Sequence, residues 1–162
     1  MLNVLFLCTR NSTQSIIAES VLRSVGRGRF NVCSAGLEPA PQMPSEVLEF
    51  LQERQLPTDG LRPKSWRQFT ESQAPKFGFV IALTEPAAAI AASHPWEGDP
   101  VVAHWSADDG LDELTAEEAS GPALRDTFWV LSRRIKIFAS LPHGKATRRS
   151  LENKLHALES WQ

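Results

Sequence analysis

The sequence predicts an α/β fold built on a parallel sheet that is covered on both faces. Two observations carry this expectation. Apolar runs of strand length recur along the chain, and segments with apolar residues at helical spacing separate them. The first run, Leu2–Leu7, is apolar at nearly every position, as in a strand buried on both sides. Parallel strands joined by right-handed crossovers place ligand sites at the carboxyl ends of the strands.

The remaining elements follow in order. From Ser15 the residues Ala18, Val21, Leu22 and Val25 recur at helical spacing, and Gly26 with Gly28 ends that helix. Phe30–Ala35 is the second strand, closed by Gly36 and followed by a turn carrying Pro39, Pro41 and Pro44. Ser45–Arg54 is a helix with Val47, Phe50 and Leu51 on one face. Leu61–Ser72 is a loop with a short helix, and Phe77–Leu83 is the third strand. Thr84 caps the alanine-rich helix that follows, with Pro86 tolerated in its first turn. Val101–Trp105 is the fourth strand. A polar stretch, Leu111–Gly121, then leads into a long helix from about Pro122 to Ser140, striped by Leu124, Phe128, Leu131, Ile135 and Phe138. Leu151, Leu155 and Leu158 mark a last amphipathic helix.

Composition narrows the class. At 162 residues, with 22% charged and 42% hydrophobic, the chain is expected to form a single domain over 1–162. A net charge of −2 argues against sequence-independent nucleic-acid binding. No apolar run approaches the roughly 20 residues of a membrane span, and the start MLNVLFLC is a poor signal peptide. With Cys8 and Cys33 as its two cysteines, the chain offers neither a disulfide framework nor a metal site, so a reducing cytoplasm is the expected setting.

The stretch that carries chemistry is Val4–Glu19. Its apolar run delivers the chain to Cys8, six small or polar residues follow, and a helix begins. Backbone N–H groups of such a loop converge on its hollow, and the helix start adds partial positive charge. An anion would be held there, and the same field would favour a thiolate over a thiol. A cysteine ending a buried strand more commonly packs as a small hydrophobe; the loop and helix after Cys8 point instead to an anion-facing nucleophile. Cys33, in mid-strand, is expected in the core. His104 is expected to be a satisfied core histidine rather than a base.

At these residues the chain resembles the low-molecular-weight protein tyrosine phosphatases, and most of all their arsenate reductase branch. The family signature is a nucleophilic Cys, five residues, then Arg and Ser or Thr, and the segment Cys8-Thr9-Arg10-Asn11-Ser12-Thr13-Gln14-Ser15 matches it in position, length and most residues. Ser34-Ala35-Gly36, Gly60-Leu61-Arg62 with Lys64-Ser65-Trp66, and Ala103-His104-Trp105 followed by Asp109 resemble the reductase branch, so the resemblance spans roughly Val4 to Leu141. It implies a three-layer sandwich with a four-stranded parallel sheet of order 2-1-3-4. It also implies Cys8 as nucleophile, Asn11 as a brace of the loop, Ser15 as hydrogen-bond partner of the thiolate and Asp109 as general acid. Thr9, Arg10, Asn11, Ser12, Thr13 and Gln14 would then line the oxyanion site, with a small oxyanion or phosphorylated substrate as ligand and no cofactor.

Three positions depart from the pattern. Gln14 stands where the family has its Arg, and Gln offers one neutral amide in place of a charged, bidentate fork. Losing that contact costs about 3–5 kcal/mol of transition-state stabilisation, roughly 100- to 1000-fold and more. Leu83-Thr84-Glu85-Pro86 carries no relay thiol after the third strand, so arsenate reduction would need an external thiol such as glutathione. Asp109 precedes Gly110 rather than Pro. Arg10 is either an exposed arginine pointing to water or, with Arg62 and Lys64 as alternatives, the source of the cation that Gln14 lacks. Three functions are consistent with these residues: a cysteine-dependent phosphomonoester hydrolase, an arsenate reductase drawing on an outside thiol, and a degenerate homologue that binds an oxyanion or phospho-ligand without turnover.

Overall fold

The computed structural model describes residues 2–105, 121–143 and 148–159. Four parallel strands, β1 (Leu2–Cys8), β2 (Phe30–Gly36), β3 (Phe79–Ala82) and β4 (Val101–His104), form one sheet in the order β2-β1-β3-β4. Five α-helices accompany them: α1 (Gln14–Gly26), α2 (Ser45–Glu53), α3 (Glu85–Ser93), α4 (Gly121–Ser140) and α5 (Arg148–Glu159). A 3-10 turn, Trp66–Phe69, is the short helix expected between Leu61 and Ser72.

Alternation along the central strand divides the core. Val4, Phe6 and Cys8 pack with residues of α1, α2, α4 and α5, whereas Leu5 and Leu7 pack with Ala87 and Ala91 of α3 on the opposite face. All five are fully buried, which accounts for the unbroken apolar run of β1. Trp105, just past β4, is also fully buried and stacks near Phe6 and Phe138. Its Nε1 donates to the carbonyl of Leu155, 3.1 Å away, and so ties α5 to the sheet.

Element ends differ slightly from expectation, for local reasons. The third strand is shorter than Phe77–Leu83, yet Gly78 N–H donates to Asn3 O and Leu83 N–H to Leu7 O, so both flanks keep their hydrogen bonds to β1. At the end of α1 the left-handed residue is Arg27 (φ 42°), followed by Gly28. Gly26 serves packing instead, because a Cβ there would lie 2.6 Å from the Phe30 ring. Thr84 caps α3 as expected, its Oγ1 accepting from Ala87 N–H at 3.4 Å. Cys33 is a correction: it is half-buried, because β2 is an edge strand and its outer face is only partly covered.

After α4 the chain turns at His143, whose ring is enclosed by Phe30, Phe79 and Phe138 at centroid distances of 5.5, 5.2 and 4.9 Å. Nε2 lies 2.7 Å from the Phe138 carbonyl, which can only accept, so Nε2 carries the proton. Burial pushes the imidazole below its ordinary pKa and the Arg29 charge adds to this, with the Phe138 bond opposing. The folded protein therefore binds fewer protons at His143 than the unfolded chain. This contribution to stability is fully present above the unfolded value of about 6.5 and is lost as pH falls from there toward the lower folded value. Urea midpoints at pH 7.5 and 5.5 are expected to differ less in His143→Gln than in the native protein; an unchanged difference would contradict this assignment.

Candidate active site

β1 ends at Cys8 and α1 begins at Gln14, so residues 9–13 form a tight loop over the carboxyl end of the sheet. Gly36, opposite Cys8 in the sheet, sets how closely the next segment approaches. A Cβ on Gly36 would lie 2.8 Å from Thr9 O, 2.9 Å from Arg10 C and 2.9 Å from Asn11 N, so only glycine lets the two backbones touch. The approach is fastened by Leu37 N–H to Cys8 O, Glu38 N–H to Thr9 O and Ala40 N–H to Arg10 O, between 2.8 and 3.1 Å. On the other side Thr9 Oγ1 and Thr84 Oγ1 lie 3.1 Å apart, joining the loop to the start of α3.

Asn11 is the keystone. Its φ of 52° is left-handed, a conformation that Asn tolerates better than most residues. The fully buried side chain is held at three points: Lys64 N–H donates to its Oδ1 (2.9 Å), while Nδ2 donates to Ser15 Oγ (2.7 Å) and Ser34 Oγ (3.0 Å). The Asn11 backbone N–H donates to Cys8 Sγ at 3.0 Å. Ser15 Oγ, already accepting from Asn11, has its own O–H left for Cys8 Sγ, 2.8 Å away. The sulfur thus faces two donors, an arrangement suited to negative charge.

Behind Asn11 lies a carboxylate that the sequence reading did not single out. Glu19 is buried on α1, and Ser34 Oγ donates to its Oε1 at 2.5 Å. Arg23, one turn further along the helix, pairs with Oε2, and Lys64 Nζ lies 3.8 Å from Oε1. Arg23 also donates to Asp59 O (2.7 Å) and Lys64 Nζ to Arg62 O (2.8 Å), so the network pins α1 to the segment around 59–64. Burial draws the Lys64 ammonium below its ordinary pKa, and Glu19 opposes that shift. Burial, then the same carboxylate, push the Cys33 thiol upward, against Lys64 and Arg23. The i, i+4 spacing of Ser15, Glu19 and Arg23 was visible in the sequence and was the available signal.

Of the expected site residues, Cys8, Asn11 and Ser15 share one hydrogen-bonded cluster, and Thr9 flanks it. Ser12, Thr13 and Gln14 are buried in the loop and the first residue of α1. Arg10 is half-buried, Arg62 is exposed, and Lys64 is turned to Glu19. His104 is half-buried at the end of β4. Asp108 and Asp109 lie outside the described residues. Among the described residues, no cluster of His, Cys, Asp and Glu could hold a metal ion, and no helix is long and apolar enough to cross a membrane.

Residues 3–104 match the low molecular weight phosphotyrosine protein phosphatase family. The chain belongs to that family. Solved structures carry the same fold. An arsenate reductase in a phosphate-binding state is 21% identical over 86% of this chain and 98% of its own, with a TM-score of 0.65. The arsenate reductase of Archaeoglobus fulgidus is 20% identical over 85% and 99%, at 0.64. A YwlE arginine phosphatase mutant with a phosphorylated active-site serine is 19% identical over 93% and 100%, at 0.66. No curated protein sequence matches the chain. The structure places Gln14 at the first residue of α1 with 1% of its surface exposed.

Proposed function

We propose that residues 8–15 bind a phosphate or arsenate oxyanion and that Cys8 is the nucleophile. The observation that carries this reading is the environment of the sulfur, held by Asn11 N–H at 3.0 Å and by Ser15 Oγ at 2.8 Å where a strand runs into a helix. Thr9, Arg10, Ser12, Thr13 and Gln14 complete the lining, with Asn11 fixing its shape. The thiolate attacks phosphorus, the bond to the leaving oxygen breaks, and Asp109 donates its proton to that oxygen. Water then hydrolyses the phosphocysteine. No cofactor takes part. If the centre is arsenic, an external thiol such as glutathione attacks the sulfur of arsenylated Cys8, the S–As bond breaks, arsenite leaves, and a mixed disulfide forms that a further thiol reduces, so the thiols supply the two electrons. A small oxyanion or a phosphorylated molecule is the substrate class, and a reducing cytoplasm suits a thiol used in this way.

Gln14 favours a second reading, in which the same loop binds an oxyanion or a phosphorylated partner without turnover. Hydrolysis of p-nitrophenyl phosphate by the native chain and by Cys8→Ser separates the two. Native turnover that falls at least about 1000-fold in Cys8→Ser supports the enzyme. Turnover that survives the substitution overturns Cys8 as nucleophile.

A further inference from the structure

Resting on the reading of residues 8–15 as an oxyanion site, we infer that this site selects singly charged oxyanions over doubly charged ones. The argument is a charge count around the loop. The floor carries the Cys8 sulfur, which accepts from Asn11 N–H and Ser15 and is anionic when it is a nucleophile. The first residue of α1, where the helix presents its amide ends, is the neutral and buried Gln14. Among the described residues, two of the nearby cations are committed elsewhere. Lys64 faces Glu19 and donates to Arg62 O, and its side chain is only 11% exposed. Arg23 pairs with Glu19 and lies eight residues beyond Ser15, about 12 Å along the helix. Arg62 is exposed to water. Arg10, in the loop itself, is half-buried, so water screens part of its charge.

Backbone N–H groups and a helix start together supply only about half a unit of positive charge. Beside a thiolate, that balances one negative charge on a ligand much better than two. The second charge is repelled in a buried setting, where unit charges a few ångströms apart interact far more strongly than in water. The ligand class is therefore the monoanion: a phosphoryl or arsenyl species that retains one proton, or an ester carrying a single charge. An arginine at position 14 would reverse the preference, because a full positive charge then faces the second negative one.

Calorimetric titration of the native chain and of Gln14→Arg with inorganic phosphate and with sulfate tests this. At pH 5.5 sulfate is divalent and phosphate is mostly monovalent, while size and shape are nearly the same. The native chain is expected to bind phosphate at least about tenfold more tightly than sulfate at that pH, and to bind phosphate more weakly at pH 8.5. Gln14→Arg is expected to close or invert the phosphate-to-sulfate ratio. Equal or tighter sulfate binding by the native chain overturns the inference. If that tight sulfate binding disappears in Arg10→Ala, then Arg10 is the cation that defeats it. Binding of neither anion by either protein overturns the oxyanion-site reading itself.

Discussion

Gln14→Arg is expected to raise turnover of p-nitrophenyl phosphate by about 100- to 1000-fold, or to create turnover where the native chain shows none. This corresponds to about 3–4 kcal/mol from a preorganised cation facing charge that develops in the transition state. The expectation depends on the rest of the site being built. Asn11 is locked by Lys64, Ser15 and Ser34, and Gly36 packs directly under the loop. None of these contacts involves the side chain at position 14. The double variant Cys8→Ser/Gln14→Arg is expected to lose the gain entirely. If Gln14→Arg folds, binds phosphate and still gives no turnover, Cys8 is not aligned for in-line attack and the binding-module reading stands.

Trp105→Ala is expected to produce the largest loss of stability of any single truncation, about 4–6 kcal/mol. Removing a fully buried indole costs about 3–5 kcal/mol through lost transfer and a residual cavity. The Leu155 carbonyl, now without its donor, adds on the order of 1 kcal/mol or more. At 2–4 °C per kcal/mol for a chain of this size, the melting temperature should fall by roughly 10–20 °C. Trp105→Phe keeps most of the apolar area and loses only the hydrogen bond, so its fall should be a small fraction of that. A drop below about 3 °C in Trp105→Ala, read by circular dichroism, would show that α5 is not anchored through this contact.

The sequence disclosed what was contiguous. The run from Val4 to Ser15 displays strand, loop and helix together, so the cradle around Cys8 was legible without the fold. The apolar β1 and the alternation of strands and helices announced a parallel sheet covered on both faces. What could not be read were the meetings of distant residues. Glu19, Ser34 and Lys64 lie in three separate segments, and they come within hydrogen-bond or ion-pair reach only because α1 packs against β2 and Gly36 N–H binds Lys64 O. Lys64 looked available to an anion because its partner was out of sight. Cys33 looked like core because strand order was not visible in its own segment, and an edge strand leaves one flank partly open.

The three-point hold on Asn11 means that the loop is shaped in advance. Its left-handed backbone is maintained by contacts from α1, β2 and the segment around Lys64, all of them present before any ligand arrives. A ligand entering such a loop spends little entropy on ordering it. On the proposed reading, the scaffold sets the shape of the loop, while its charge depends on one replaceable side chain, Gln14. Gln14→Arg therefore adds its charge to a loop whose shape Asn11 already holds.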